Sequence, residues 1–305
     1  MNWLDGFSDW LEERVVSKKT IYAYLLDVSL YARWFEVMNA GCKFAPDLMN
    51  STDVRHYRSY ALETERLSAA TWNRKRASLG MLCAYFESEL GLKLFSMKRI
   101  PRAEEVSQAP RWLTDADRRK VLRLLEMDVN SANTPLRRER AIRDQAMVGL
   151  MLFAGLRVSE VLGLLREDIE ISERKGLVKV RAGKGDVFRV VPLSKSVREM
   201  LSDHLSDRFR AGEFVFSGEN GEKLTPRAAQ KRLQALSERM GMPELSPHAL
   251  RHTSAKSMLD AGAKLTEVQK ILGHKRVTTT TRYVQPGMGD LEEAVERGDV
   301  GAGRS

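Results

Sequence analysis

The stretch Lys98–Thr114, "KRIPRAEEVSQAPRWLT", constrains the fold of this chain more than any other. It has few apolar residues, no hydrophobic period and two prolines, Pro101 and Pro110, so it cannot pack as a helix or strand. We read residues 101–112 as a linker between two domains, which 305 residues can accommodate. Before it, apolar residues recur at helical spacing. Trp3, Leu4, Phe7, Trp10 and Leu11 mark one helix. Ile21, Leu25, Val28, Ala32 and Phe35 mark a second. Ser51, Thr52 and Asp53 can cap a third, and Ser68 can start a fourth. Residues 1–100 therefore read as a small helical domain.

After the linker, helices are expected at 115–126, 137–154, 158–165, 194–210, 226–240, 247–261 and 266–272. Thr114 and Asp117 have the spacing of a capping box at the first of these. The period switches to two only in "GLVKVRA" and "DVFRVVPL", which flank "GKG" as in a β-hairpin. The fold class is mainly α with a small β-hairpin sheet. Residues 113–288 form the second domain, and 289–305 a short helix, "DLEEAVERG", and tail.

The net charge is +9, which favours a polyanionic partner. Residues 1–110 carry 15 basic and 14 acidic residues, the remainder 35 and 27, so the excess sits in the second domain. No apolar run is long enough to span a bilayer, and no membrane partner is expected. Cys42 and Cys83 lack ligand or disulfide spacing and read as reduced, buried cytosolic thiols.

Several residues have chemical potential. His248 and Arg251, three apart at a helix N-terminus, share a face suited to holding a phosphate. His248 and His252 are four apart, but Ala249 stands where a zinc protease needs Glu, and no further ligand is near in sequence. Arg157 lies between two apolar helices, so it needs a partner, and Glu160 is three residues on. Its alternative use is to bind a phosphate. Lys184 lies between the two glycines of the hairpin tip, either as a solubility residue or as a cation for a phosphate. Tyr283 is the only tyrosine after Tyr85 and follows "GHKRVTTTTR", whose threonines demand little burial. A phenol titrates near pH 10 and needs a base or a positive field to act as a nucleophile.

Taken together, "GLRVSEVLGL", "GKG", "HALRHTSA" and "LGHKRVTTTTRYV" resemble, in order, the active-site motifs of the tyrosine recombinases, the phage integrase family that includes the Xer enzymes. The resemblance spans roughly residues 5–290. It implies a helical core-binding domain, an α+β catalytic domain and a clamp around double-stranded DNA. It also implies that Arg157 and Arg251 hold non-bridging phosphate oxygens and that His248 and His274 hydrogen-bond the phosphate. Lys184 would protonate the departing 5′ oxygen, and Tyr283 would attack to give a 3′-phosphotyrosyl link. No cofactor or metal is expected.

Lys18, Lys19, Thr20, Arg66, Arg74, Lys75 and Arg76 are candidate backbone contacts. Arg227, Gln230 and Lys231 are candidate base-reading residues on a helix. The resemblance further implies a homotetramer on DNA, or a heterotetramer with a paralogue, coupled through the C-terminal helix. The enzyme would be cytoplasmic and nucleoid-associated. The residues before position 5 leave no room for an arm-binding domain, which favours an Xer-like, two-domain enzyme. A catalytically silent DNA-binding protein, a type IB topoisomerase-like enzyme and a metal-dependent nickase are the alternatives.

Overall fold

In the computed structural model, residues 3–14, 17–105, 112–181, 188–206, 213–218, 221–242 and 245–274 are described. Lys184, Tyr283 and the C-terminal helix expected from "DLEEAVERG" lie outside them. The chain divides into two compact units, Met1–Gln108 and Ala109–Ser305.

The first unit holds helices α1 (Trp3–Glu13), α2 (Lys18–Met38), α3 (Ser51–Ser59) and α4 (Ala69–Leu90). Asn50, rather than one of the three residues after it, caps α3, its side chain accepting from the amides of Thr52 and Asp53. A π-helical turn, Tyr60–Thr64, continues from α3. The apolar stripes on α1 and α2 meet those of α3 and α4: Phe7, Val28, Tyr31, Val54, Trp72, Leu79 and Phe86 are buried together. Aromatic rings pack edge-on through this core, as in Tyr31 against Tyr57 at 5.2 Å.

The first residues of the expected linker are held against α4. Asn73 on α4 donates to the Ala103 carbonyl at 3.0 Å and accepts from its amide at 2.9 Å. Arg76 donates to the carbonyl of Ile100 at 2.7 Å, and Ile100 is fully buried. A proline-containing segment without a period has no ladder of its own, so α4 side chains satisfy its backbone instead. Cys42 is exposed, contrary to the expectation, whereas Cys83 is buried and its thiol is pushed up to about 12 by desolvation.

The second unit is built around α6 (Pro135–Phe153), whose residues Ala146 to Leu152 are buried without a break. Flanking it are α5 (Asp115–Asn130), α8 (Lys195–Leu205) and α10 (Pro247–Asp260). The Thr114–Asp117 capping box forms as expected. Between α7 (Val158–Leu162) and α8 lies an antiparallel sheet in the order β1 (Ile169–Ile171), β2 (Gly176–Val180), β3 (Arg189–Pro192). The edge strand β1 was not legible in the sequence, because three residues are too few to show an alternation. Helix α7 stops at Leu162, short of the expected 165, and Leu165 bridges to Phe214. Helix α9 (Pro226–Met240) packs near α5 and α7, and α11 (Leu265–Leu272) lies against α10 and β3.

Candidate active site

Three pieces of the second unit converge on one carboxylate. Helix α6 ends at Phe153, and Gly155 takes a left-handed turn (φ +65°) before Arg157 begins α7. The left-handed backbone favours glycine at 155, and a Cβ there would also press to 2.6 Å on Leu272 Cδ2. Glu160, one turn into α7, accepts from the Arg157 amide at 2.8 Å and from its guanidinium at 2.7 Å. This is the ion pair anticipated from the spacing.

The sequence did not reveal the third member. Arg189, at the start of β3, donates from Nη1 to Glu160 Oε1 at 2.9 Å and from Nη2 to Oε2 at 2.8 Å. Its Nε reaches the Ile271 carbonyl at 2.6 Å. Burial alone would raise the Glu160 pKa, but the bonds from Arg189 and Arg157 outweigh it, and the carboxyl is held below its ordinary value. A signal existed. Arg189 is in phase with inward-facing Val191, and a charged residue on the inward face of a strand needs a buried partner.

Arg251, 4 % exposed, enters from α10. It donates to the Gly155 carbonyl at 2.5 Å and the Leu272 carbonyl at 2.6 Å, and its Nη1 lies 3.8 Å from Glu160 Oε2. Its Nη2 also lies 3.0 Å from His274 Nε2. Gly273, in the left-handed region (φ +68°), ends α11 and turns the chain into His274. A Cβ there would lie 2.8 Å from Arg189 Nη1, so this glycine also lets the arginine pass. The His274 backbone is tied to α11 through Gln269, whose carbonyl accepts from the His274 amide and whose side chain donates to the His274 carbonyl.

His274 has its pKa pushed down to about 4, chiefly by desolvation and then by Arg251, Arg157 and Arg189. Because a guanidinium can only donate, Nε2 accepts and the proton resides on Nδ1. A free imidazole titrates near 6.5. The folded chain therefore prefers neutral His274: the linked stability is fully present above about pH 6.5 and is lost as pH falls towards 4. In an NMR titration the His274 imidazole should be neutral at pH 6, protonated on Nδ1 and titrating near 4. A His274 midpoint close to 6.5 would refute this environment.

His248 is exposed in the first turn of α10, three residues before Arg251. Its ring centroid is 6.3 Å from that of His252. Among the described residues, no group of three His, Cys, Asp or Glu side chains is arranged to hold a metal. The structure thus brings Arg157, Arg251 and His274 together and puts His248 on the same helix as Arg251, while Lys184 and Tyr283 lie outside the described residues.

The candidate DNA-contacting residues fare differently. Lys18 and Lys19 are exposed at the start of α2, and the Thr20 hydroxyl is engaged with Ser17 in the helix cap at 2.7 Å. Arg227, Gln230 and Lys231 are all exposed on α9, opposite buried Ala229, Leu233 and Leu236. Lys75 requires correction. It is 4 % exposed, bonds the Tyr57 hydroxyl at 3.1 Å and lies 3.7 Å from buried Asp27. Arg74 is half-exposed and also pairs with Asp27. Arg76 is turned onto the carbonyls of Met97 and Ile100.

The run "NRKR" is therefore not a basic face. Successive helical residues point about 100° apart, and Lys75 falls in the stripe of Trp72, Leu79, Leu82 and Phe86. Lys75→Ala should cost roughly 1–3 kcal/mol of stability by unmaking buried polar contacts. It should leave the salt dependence of DNA binding unchanged. Urea unfolding and a salt titration of DNA affinity would check this. A shallower salt slope in a fully stable variant would restore Lys75 as a phosphate contact.

Residues 120–289 match the model of the phage integrase family, and residues 3–92 match a phage integrase N-terminal SAM-like domain. The chain belongs to the phage integrase family. It is 32 % identical over 300 residues to the tyrosine recombinase XerC of Pseudomonas aeruginosa, covering 96 % of this chain and 93 % of that one. It is 30 % identical over 281 residues to the tyrosine recombinase XerD of Ralstonia nicotianae, covering 90 % and 85 %. The fold is similar to that of the XerH site-specific recombinase bound to a palindromic difH substrate, with a TM-score of 0.73 and 22 % identity over 94 % of this chain and 84 % of that chain. A lambda integrase dimer bound to a COC′ core site gives a TM-score of 0.68 at 19 % identity, covering 92 % and 93 %. These family members thus share the mainly helical, small-sheet fold expected from the sequence. Among the described residues no helix is long and apolar enough to cross a membrane.

Proposed function

We propose that this chain is a site-specific DNA recombinase that cuts and rejoins strands through a covalent 3′-phosphotyrosyl intermediate. The observation that carries the reading is the clustering of Arg157 and Arg251 around the buried Glu160 carboxylate, with His274 against Arg251. Three guanidiniums, counting Arg189, and one carboxylate leave a local excess of positive charge in a partly dehydrated site. Such a site is suited to a phosphodiester, and more so to the extra charge of a pentavalent transition state.

In this reading Arg157 and Arg251 hold the two non-bridging oxygens. Tyr283 Oη attacks phosphorus as the bond to the 5′ oxygen breaks. The phenolic proton passes to His248, and Lys184 gives a proton to the leaving 5′ oxygen. His274 is proposed to hydrogen-bond the phosphate from its place beside Arg251. A 5′-hydroxyl from a partner strand then attacks the phosphotyrosine and releases Tyr283. Each step exchanges one phosphoester for another, so the bond energy is conserved without ATP.

Lys18 and Lys19 are proposed to contact the DNA backbone, and Arg227, Gln230 and Lys231 to enter a groove. The assembly is proposed to be a tetramer on two DNA sites, joined through the C-terminal helix.

The test is a nicked suicide duplex carrying the recombination site, incubated with the protein in EDTA. The expected product is a denaturant-resistant adduct on the 3′ phosphate with a free 5′-hydroxyl. DNA binding with no adduct would make the chain a silent binder of the same fold. An adduct abolished by EDTA would make it a metal-dependent nickase.

A further inference from the structure

The geometry points to Arg189 as a positioning residue that sets the phosphate-holding arginines and the start of the nucleophile-bearing segment in one frame. The proposal rests on the recombinase reading. Arg189 occupies the first position of β3, and its guanidinium spends both prongs on Glu160 and its Nε on the Ile271 carbonyl at the end of α11. Its side chain is 5 % exposed and Glu160's is 6 % exposed, so the pair is set inside the unit rather than on its surface. Through Glu160 it fixes Arg157, which shares Oε1. Through α11 it fixes Leu272, whose carbonyl holds Arg251, and it borders Gly273, from which the chain passes to His274 and on towards Tyr283. One side chain thus ties α7, β3 and α11, the three elements whose ends supply or orient the phosphate cage.

No described contact brings Arg189 to the place a phosphate would take, so its action runs through these partners. The fork geometry is essential to it. A lysine at this position keeps the charge but cannot bond both carboxylate oxygens and a carbonyl in one plane. The cage would then relax by a fraction of an ångström to an ångström, and misplacement on that scale costs about a hundredfold in rate.

The experiment compares wild type, Arg189→Lys and Arg189→Met in three measurements. Single-turnover adduct formation on the suicide duplex should fall about a hundredfold in Arg189→Lys, with DNA affinity within about twofold. The same duplex with sulfur in place of the 5′ bridging oxygen carries a leaving group that needs no proton. It should relieve a Lys184→Ala defect and leave the Arg189→Lys defect in place. In the protein without DNA, the His274 imidazole should titrate higher in Arg189→Lys than in wild type, because a loosened frame admits water to a ring that burial now holds down. Arg189→Met, which removes the paired bonds to Glu160 but leaves those from Arg157, is compared only where its urea midpoint shows it folded.

Wild-type cleavage rates in Arg189→Lys would overturn the proposal. Rescue of that variant by the sulfur leaving group would also overturn it, by assigning Arg189 to the Lys184 hairpin. So would a loss of rate that tracks the loss of stability across both variants. If wild type forms no adduct, the recombinase reading fails on its own, and the His274 titration still decides whether Arg189 sets the frame.

Discussion

Tyr283→Phe should reduce covalent adduct formation on a suicide duplex below detection while leaving folding and DNA binding intact. The substitution removes one oxygen and nothing else. In this reading that oxygen is the atom that bonds to phosphorus, and loss of a nucleophile removes rate on the order of a millionfold. The arginines of the site cannot substitute for it, because a protonated guanidinium has no lone pair to give, and the acceptor nitrogen of His274 is turned to Arg251 at 3.0 Å. SDS gel electrophoresis of the reaction, with filter binding and thermal unfolding run beside it, gives the result. Adducts formed by Tyr283→Phe at the wild-type rate would assign the attack to another residue.

Glu160→Leu should have the opposite character. It is expected to cost about 3–5 kcal/mol of stability, because it leaves Arg189 buried without its counter-charge. Cleavage should fall with it, since Arg157 and Arg251 lose the carboxylate around which they are grouped. Arg157→Leu provides the control. That arginine keeps 29 % of its side chain in solvent, so its loss should affect stability much less while still abolishing cleavage. Urea unfolding of the two variants separates them. A Glu160→Leu protein as stable as wild type would show that the arginines do not need this carboxylate.

The contrast shows what a sequence exposes and what it conceals. The Arg157–Glu160 pair and the His248–Arg251 pair are one helical turn apart, and spacing alone suggests them. The Thr114 cap is legible for the same reason. Arg189 is a different case. Its partners are 29 and 82 residues away, and only the folded sheet and α11 bring them together. Its inward strand phase was the one local trace. Charge counted along "NRKR" puts Lys75 on the surface, whereas the turn of α4 puts it in the core. The Asp27 carboxylate that holds it belongs to α2, 48 residues earlier.

The end of α11 carries one further consequence. Its last two carbonyls, Ile271 and Leu272, are capped by Arg189 and Arg251. Carbonyls at a helix C-terminus together act as roughly half a negative charge. Helix α11 thus serves as a fractional counter-anion, which helps the site keep three guanidiniums beside one carboxylate and still remain attractive to phosphate. It also makes the length of α11 a fixed dimension of the active site. A single residue inserted into it would turn its end by about 100° and carry both carbonyls away from their arginines.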